Sequence, residues 1–285
     1  MQTNGFEIDC ELNYEVEDPS VFVFNIEAAH LPGQRVLHEH LATLPAIALD
    51  QYTDTLGNRF TRFQALPGSL SVRYTASVMV DEMAPPTERC FTSVADLPAE
   101  VMPFLLASRY CESDSLFPLA ARHFGALNSS YEQVVAICEW IRANIDYEIG
   151  TSLSHGTARD ILLQRTGVCR DFAHVAIALC RALNIPARFV TGHVQWDVPP
   201  PDFHAIFEAF AGGRWILFDP TAMAPTHSVV RIGAGRDAAD VAFATIFGRA
   251  RMTRMSPLTR TLSDGEINHA VPSSRQIVQM LAQAA

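Results

Sequence analysis

Positive charge is scarce in this chain of 285 residues: 21 Lys and Arg stand against 31 Asp and Glu, a formal net charge of −10 at pH 7. No basic run occurs anywhere, which argues against a nucleic-acid partner. No apolar run is long enough to span a membrane, so no membrane partner is expected. The opening Met1-Gln-Thr-Asn-Gly-Phe-Glu-Ile-Asp9 lacks a basic stretch followed by an apolar one, so no export signal is expected and the cytoplasm is the default compartment. Cysteine is sparse too. Cys10, Cys90, Cys111, Cys138, Cys169 and Cys180 are widely and irregularly spaced, and none forms Cys-x-x-Cys. That removes the zinc-ribbon class and leaves reduced thiols as the expectation. Ile232-Gly-Ala-Gly-Arg-Asp237 is Gly-rich but has no Gly-Lys-Ser/Thr after it, so it is no P-loop. No acidic cluster has calcium-loop spacing, and no repeat recurs. Oligomeric state leaves no trace in the sequence.

Apolar residue types are plentiful at 48%, enough for one large or two ordinary domains. Residues 1 to about 105 read as a β-rich domain. Val21-Phe-Val-Phe-Asn-Ile26, Arg59-Phe-Thr-Arg-Phe-Gln64 and Leu70-Ser-Val-Arg-Tyr-Thr-Ala-Ser-Val-Met-Val80 are strand patterns. Asp54-Thr-Leu-Gly-Asn58 and Pro67-Gly-Ser69 are turns between them. An antiparallel sandwich or barrel follows. Asp54 reads as a turn former rather than a ligand. Ala84-Pro-Pro-Thr87 and Asp96-Leu-Pro-Ala-Glu100 mark a transition.

Residues 106–285 read as a second domain with a C-terminal extension. Ser129 caps a helix with Glu132 three residues on, and Val134, Ile137, Cys138 and Ile141 supply its apolar face. Residues 157–163 form a short helix. A longer one begins near Cys169 and ends near Leu183, with Val175, Leu179, Ala182 and Leu183 along one face. Asn184 and Pro186 stop it. Strands follow at 187–193, 203–210 and 214–219, the last two joined at Gly212-Gly213. The loop 194–202 carries prolines at 199–201. The tail offers a last strand over 255–270 and a helix over 273–285.

Cys169 opens its helix among unpaired backbone N–H groups at the positive end of the helix dipole, a setting that favours a thiolate and an oxyanion. A buried core cysteine fits the same pattern. Cysteine catalysis also needs a base and a group to orient it. His204 starts one strand of the expected hairpin and Asp219 ends its partner, so both lie at one end of the sheet. Other polar residues have simpler roles: His174 as a core histidine, Asp171 as a helix cap, Tyr147 as a structural ring with its hydroxyl near a cleft. Asp202 and His193 are candidate cleft residues. Cys169, His174, His193 and His204 have no recognisable metal-ligand spacing.

Gly167-Val-Cys-Arg-Asp-Phe-Ala-His174, Ala182-Leu-Asn-Ile-Pro-Ala-Arg188, His204-Ala205 and Trp215 to Thr221 resemble the bacterial transglutaminase-like superfamily. The gaps from 169 to 204 and from 204 to 219 fit it. The likeness is specific over about residues 130–222. The strands around Asp54–Asn58 are similar to the β-rich domain that often precedes this core, and Val230 to Asp237 resembles the segment that follows it.

The resemblance implies an α+β fold: a papain-like, transglutaminase-like core, with a cysteine helix packed on an antiparallel sheet, preceded by a β-sandwich-like domain. It implies Cys169 as nucleophile, His204 as base and Asp219 as the orienting residue of a cysteine protease or amidase, with a peptide or amide substrate and no cofactor or metal. One departure is Ile206, where the family often has Trp. Three other functions stay open: a non-catalytic scaffold, a cross-linking transglutaminase and a metal-dependent hydrolase.

Overall fold

Period-two burial shapes the start of the chain. In β1 (Thr3–Val16), Phe6, Ile8, Cys10, Leu12, Tyr14 and Val16 are buried, while Glu7, Asp9, Glu11 and Glu15 alternate with them on the other face. A computed structural model describes residues 3–82, 91, 93–196, 201–263 and 266. Cys90, the Ala84–Thr87 stretch, residues 197–200 of the proline loop and the expected helix 273–285 lie outside the described residues.

The next strands are β2 (Ser20–Phe24), β3 (Gln34–Leu44), β4 (Asp50–Thr53), β5 (Arg59–Ala65) and β6 (Gly68–Asp81). Four helices and two short strands follow: α1 (Phe117–Phe124), α2 (Ser130–Asn144), β7 (Asp146–Tyr147), α3 (Ala158–Gln164), β8 (Thr166–Gly167) and α4 (Cys169–Ala182). The chain then runs through β9 (Ala187–His193), β10 (His204–Ala211), β11 (Arg214–Phe218), β12 (Val230–Gly235), β13 (Ala244–Phe247) and β14 (Ala250–Thr261).

Two four-stranded sheets, ordered β14-β1-β6-β3 and β13-β2-β5-β4, form the sandwich. Phe22, Phe24 and Phe63 stack with centroids 5.7 Å apart in its core. The C-terminal segment departs from expectation. The sequence pattern places it as an extension of the second domain, yet β13 pairs with β2 and β14 pairs with β1 over eleven positions. The sandwich therefore takes strands from both ends of the chain. Pairing across such a separation carries no local sequence signal.

The third sheet, ordered β11-β10-β9-β12, is antiparallel and carries α4 against it. Every residue of α4 from Asp171 to Ala182 is buried. The one-face pattern read from sequence was too narrow, because α1, α2 and α3 cover the sides that the sheet does not. Asn184 takes φ 61° just past the helix, and Gly212 and Gly213 take φ 60° and 76° in the hairpin turn. Ser129 Oγ accepts the Glu132 N–H at 3.2 Å and caps α2.

β12 is an edge strand, and side chains of the sandwich act as its missing neighbour. Asn58 Nδ2 donates to the Ala234 carbonyl at 2.8 Å, and Asn58 Oδ1 accepts the Ala234 N–H at 2.7 Å. Gln34 does the same to Arg231, donating from Nε2 and accepting at Oε1, both at 2.8 Å. These clasps satisfy backbone groups that an open edge would leave bare. Asp54 is the expected turn former. Its Oδ1 accepts the N–H groups of Leu56 and Asn58, and its Oδ2 holds the Asn58 amide at 2.8 Å. Gly233 fits here for lack of a side chain, since a Cβ would meet Asn25 Oδ1 at 2.7 Å and Asn58 Oδ1 at 2.8 Å.

Candidate active site

Cys169 is the first residue of α4, and β8 leads into it. The Asp171 carboxylate reaches back to accept the Val168 N–H at 3.0 Å, a capping bond that fixes the helix start. Gly167 is needed for space rather than for a left-handed turn: a Cβ there would lie 2.8 Å from the Asp171 Cβ. Arg170 donates to Ser152 Oγ at 2.7 Å and to the Leu153 carbonyl at 2.5 Å, tying the preceding loop to the helix. Cys169 is half-buried. Cys10, Cys111 and Cys138 differ from it: burial, foremost, pushes each thiol up to about 12. Burial also drives Cys180 well above the usual thiol range.

His204 opens β10 and Asp219 follows β11, and the hairpin register Phe207↔Phe218 sets them side by side. His204 Nε2 donates to Asp219 Oδ2 at 2.9 Å. Asp219 is itself held from three more sides. Its Oδ1 accepts the Thr221 N–H at 2.8 Å and the Thr221 hydroxyl at 2.7 Å, and its Oδ2 accepts the Ala224 N–H at 2.9 Å. Burial would raise this carboxyl, but the His204 bond and charge and the Thr221 and Ala224 donors hold it below the ordinary value.

His204 is fully buried, and its Nδ1 has no conventional partner among the described residues. The group it faces is the Cys169 thiol. Burial would lower this imidazole, but the Asp219 hydrogen bond, the nearby Cys169 thiol and the charges of both outweigh it and raise it to about 9. The imidazolium is therefore the favoured form at neutral pH, with one N–H on a carboxylate and the other toward sulfur.

Two aromatic residues complete the surroundings, and sequence reasoning gave Trp196 no place there. The Trp196 ring stands edge-on to His204 with centroids 5.2 Å apart, and its Nε1 donates to the Asp202 carbonyl at 2.5 Å. Ile206 is buried among Val190, Val194, Ala224 and Val229 as packing, so the aromatic wall comes from a loop instead of that strand position. Tyr147 neighbours Cys169, and burial, then the charge of that cysteine, pushes its phenol up. Its nearness to a cleft was legible in the sequence, whereas its place beside the cysteine arises from the parallel pairing of Tyr147 with Gly167.

Other candidates lie elsewhere. His193 does not line the cleft. It is fully buried and donates from Nε2 to the Ile26 carbonyl of the sandwich at 2.8 Å. Burial pushes its imidazole down to about 4. His174 sits between Tyr110 and Phe189, accepts the Ala238 N–H at 3.2 Å, and is held far below its usual range by burial. Asp202 is exposed and adjoins His204. Among the described residues no group of three or more His, Cys, Asp and Glu converges on a metal position. A cavity of about 390 Å³ backs onto Asp219, lined also by Val80, Asp81, Tyr131, Phe218 and Arg231, but Cys169 and His204 do not line it.

Comparison with known proteins shows the family and the fold. Residues 118–220 match the family model described as transglutaminase-like superfamily, and residues 4–88 match the bacterial transglutaminase N-terminal domain. A crystal structure of a candidate cysteine protease from Cytophaga hutchinsonii superposes with a TM-score of 0.86 at 41% identity, covering 92% of each chain. An uncharacterized protein of Mycobacterium leprae is 29% identical over 249 residues, 80% of this chain and 88% of its own. An uncharacterized protein of Mycobacterium tuberculosis is 28% identical over 236 residues, 73% of this chain and 75% of its own. No helix among the described residues is long and apolar enough to cross a membrane.

Proposed function

The chain belongs to the transglutaminase-like superfamily, and from that premise we propose that it is a cysteine acyl-transfer enzyme that hydrolyses an amide or peptide bond through a Cys169–His204–Asp219 triad. The observation that carries the reading is the division of labour at His204. Nε2 is committed to Asp219 at 2.9 Å, and Nδ1 is left to a half-buried thiol at a helix start. The candidate protease of Cytophaga hutchinsonii, at 41% identity, supports hydrolysis over cross-linking.

The chemistry follows from these positions. Cys169 Sγ attacks the carbonyl carbon, a C–S bond forms, and the carbonyl oxygen takes the negative charge beside the Cys169 N–H. The His204 imidazolium gives its proton to the departing nitrogen as the C–N bond breaks. Water then attacks the thioester, and neutral His204 accepts its proton. The thiolate leaves, the acid product is released, and the imidazolium–thiolate pair is restored. Asp219 stays ionised throughout and keeps the ring oriented. Calcium-loop spacing is absent from the sequence, so a chelator is expected to leave the activity unchanged.

Iodoacetamide labelling across pH, mapped to each of the six cysteines by mass spectrometry, tests the reading. Cys169 is expected to react first, already at neutral pH, and His204→Ala to abolish that advantage. Labelling of Cys169 no faster than that of buried Cys10 would refute the pair. Amide hydrolysis that survives Cys169→Ala would refute the mechanism.

A further inference from the structure

The chain divides at Phe203. That ring turns into the sandwich and stacks on Phe243 with centroids 5.0 Å apart, whereas His204, the next residue, turns to Asp219 in the cleft. Side chains alternate along an extended chain, so Asp202, two residues before His204, shares the cleft side. A second contact fixes it there. The Trp196 indole donates from Nε1 to the Asp202 carbonyl at 2.5 Å, and the same ring stands 5.2 Å from the His204 ring, so one side chain bridges the two residues. Asp202 is exposed. Its Oδ1 accepts the Phe203 N–H at 2.7 Å, and among the described residues its Oδ2 has no hydrogen-bond partner and no arginine pairs with it. Arg170, next to the cysteine in sequence, is tied to Asp171, Ser152 and the Leu153 carbonyl instead. The indole has used its one N–H and offers its π face, which also favours a positive charge.

We propose that Asp202 is a specificity-determining residue that, with the Trp196 face, holds a cationic side chain on the amine half of a peptide substrate. This rests on the acyl-transfer reading of the same site. The assignment to the amine half follows from His204. The imidazolium gives its proton to the departing nitrogen, so groups beside the imidazole border the half of the substrate that departs. An unpaired carboxylate there attracts a Lys or Arg side chain and repels Asp or Glu, in a cleft where a neighbouring charge is less screened than in open water. The chain's net charge of −10 draws the same ligands toward the protein.

The aminoethyl (cationic), sulfonatoethyl (anionic) and methyl (neutral) methanethiosulfonates probe the charge at Cys169 without a known substrate. In each, the thiolate attacks the sulfur that carries the side arm, an S–S bond forms, and methanesulfinate leaves. Rates at Cys169 are read by mass spectrometry, and each charged reagent is divided by the neutral one on the same protein. Asp202→Asn is expected to lower the cation-to-anion ratio about tenfold, and Asp202→Glu to keep it within about threefold of wild type. Asp202→Lys against Asp202→Glu carries the comparison should Asp202→Asn fail to melt cooperatively. In a peptide library, wild-type cleavage sites mapped by mass spectrometry are expected to have Lys or Arg directly on the amine side. A ratio unchanged in Asp202→Asn overturns the proposal, and so do cleavage sites with no excess of Lys and Arg. A library left intact by a protein whose Cys169 reacts overturns peptide hydrolysis and the amine-half assignment with it. Wild-type Cys169 that takes none of the three reagents overturns the acyl-transfer reading itself, an outcome distinct from the others.

Discussion

His193 and His204 lie at neighbouring ends of the same sheet. His193 closes β9, His204 opens β10, and His204 pairs with Gly192. Both imidazoles are fully buried. Yet one is driven down to about 4 and the other up to about 9. His193 faces the sandwich, where it finds a backbone carbonyl and the rings of Tyr74 and Phe203. Burial acts on it almost unopposed and keeps it neutral. His204 faces Cys169 and Asp219, and two acidic partners reverse the same desolvation. Burial alone thus makes a tether between domains, and burial with a carboxylate and a thiol makes a candidate acid–base group.

The largest break in that comparison is to remove the carboxylate. Asp219→Asn is expected to make His204 behave as His193 does, with its pKa falling below 6.5 in an NMR titration. The rate of thioester formation is then expected to fall on the order of 10³-fold. An unchanged titration would show that Asp219 does not raise the imidazole.

The two histidines also predict opposite effects of pH on stability. The pKa of His193 is lower folded than unfolded, so its contribution is present above about pH 6.5 and is lost as pH falls toward 4, by on the order of 3 kcal/mol. The pKa of His204 is raised in the folded chain, so its contribution is present below about 6.5 and is lost as pH rises through about 9. Chemical denaturation across pH should therefore give a maximum between the two. His193→Gln, which keeps an N–H for Ile26, should flatten the acid limb while Cys169 alkylation stays unchanged. An acid limb of unaltered steepness would mean that other groups set it.

A smaller effect is expected at the Asn58 clasp on the β12 edge of the same sheet. Asn58→Ala leaves the N–H and carbonyl of Ala234 without their side-chain partners and should cost about 2 kcal/mol in a melting experiment. The alkylation rate of Cys169 should not move, because the clasp lies on the β12 edge, away from the His204 hairpin. A change in that rate would mean that the sandwich positions the site.

Local patterns were legible where a short stretch of chain decides the outcome. The start of α4 at Cys169, its end before Asn184, the Gly212-Gly213 turn and the Asp54 turn each depend on a few adjacent residues with defined φ or capping needs. The nearness of His204 and Asp219 was legible for the same reason, since one hairpin register places both. The Asn58 and Gln34 clasps were not legible, because an Asn in a turn and a Gln on a strand carry no mark of the backbone they will meet 176 and 197 residues away. Trp196 read only as part of a loop, and its edge-on approach to His204 depends on how that loop lies across the sheet.

What the sequence determined by itself was the covalent order of a thiol, an imidazole and a carboxylate, each set at the end of an element whose limits follow from local propensity. Tertiary structure decided the rest. It returned the C-terminal strands to the first sandwich, assigned one buried histidine to the domain junction and the other to the cleft, and paired Tyr147 with Gly167 at the start of the cysteine helix. The reason is range. Propensity and turn chemistry act over a few residues, whereas the charge state of a buried group depends on whichever distant side chains the packed chain sets around it.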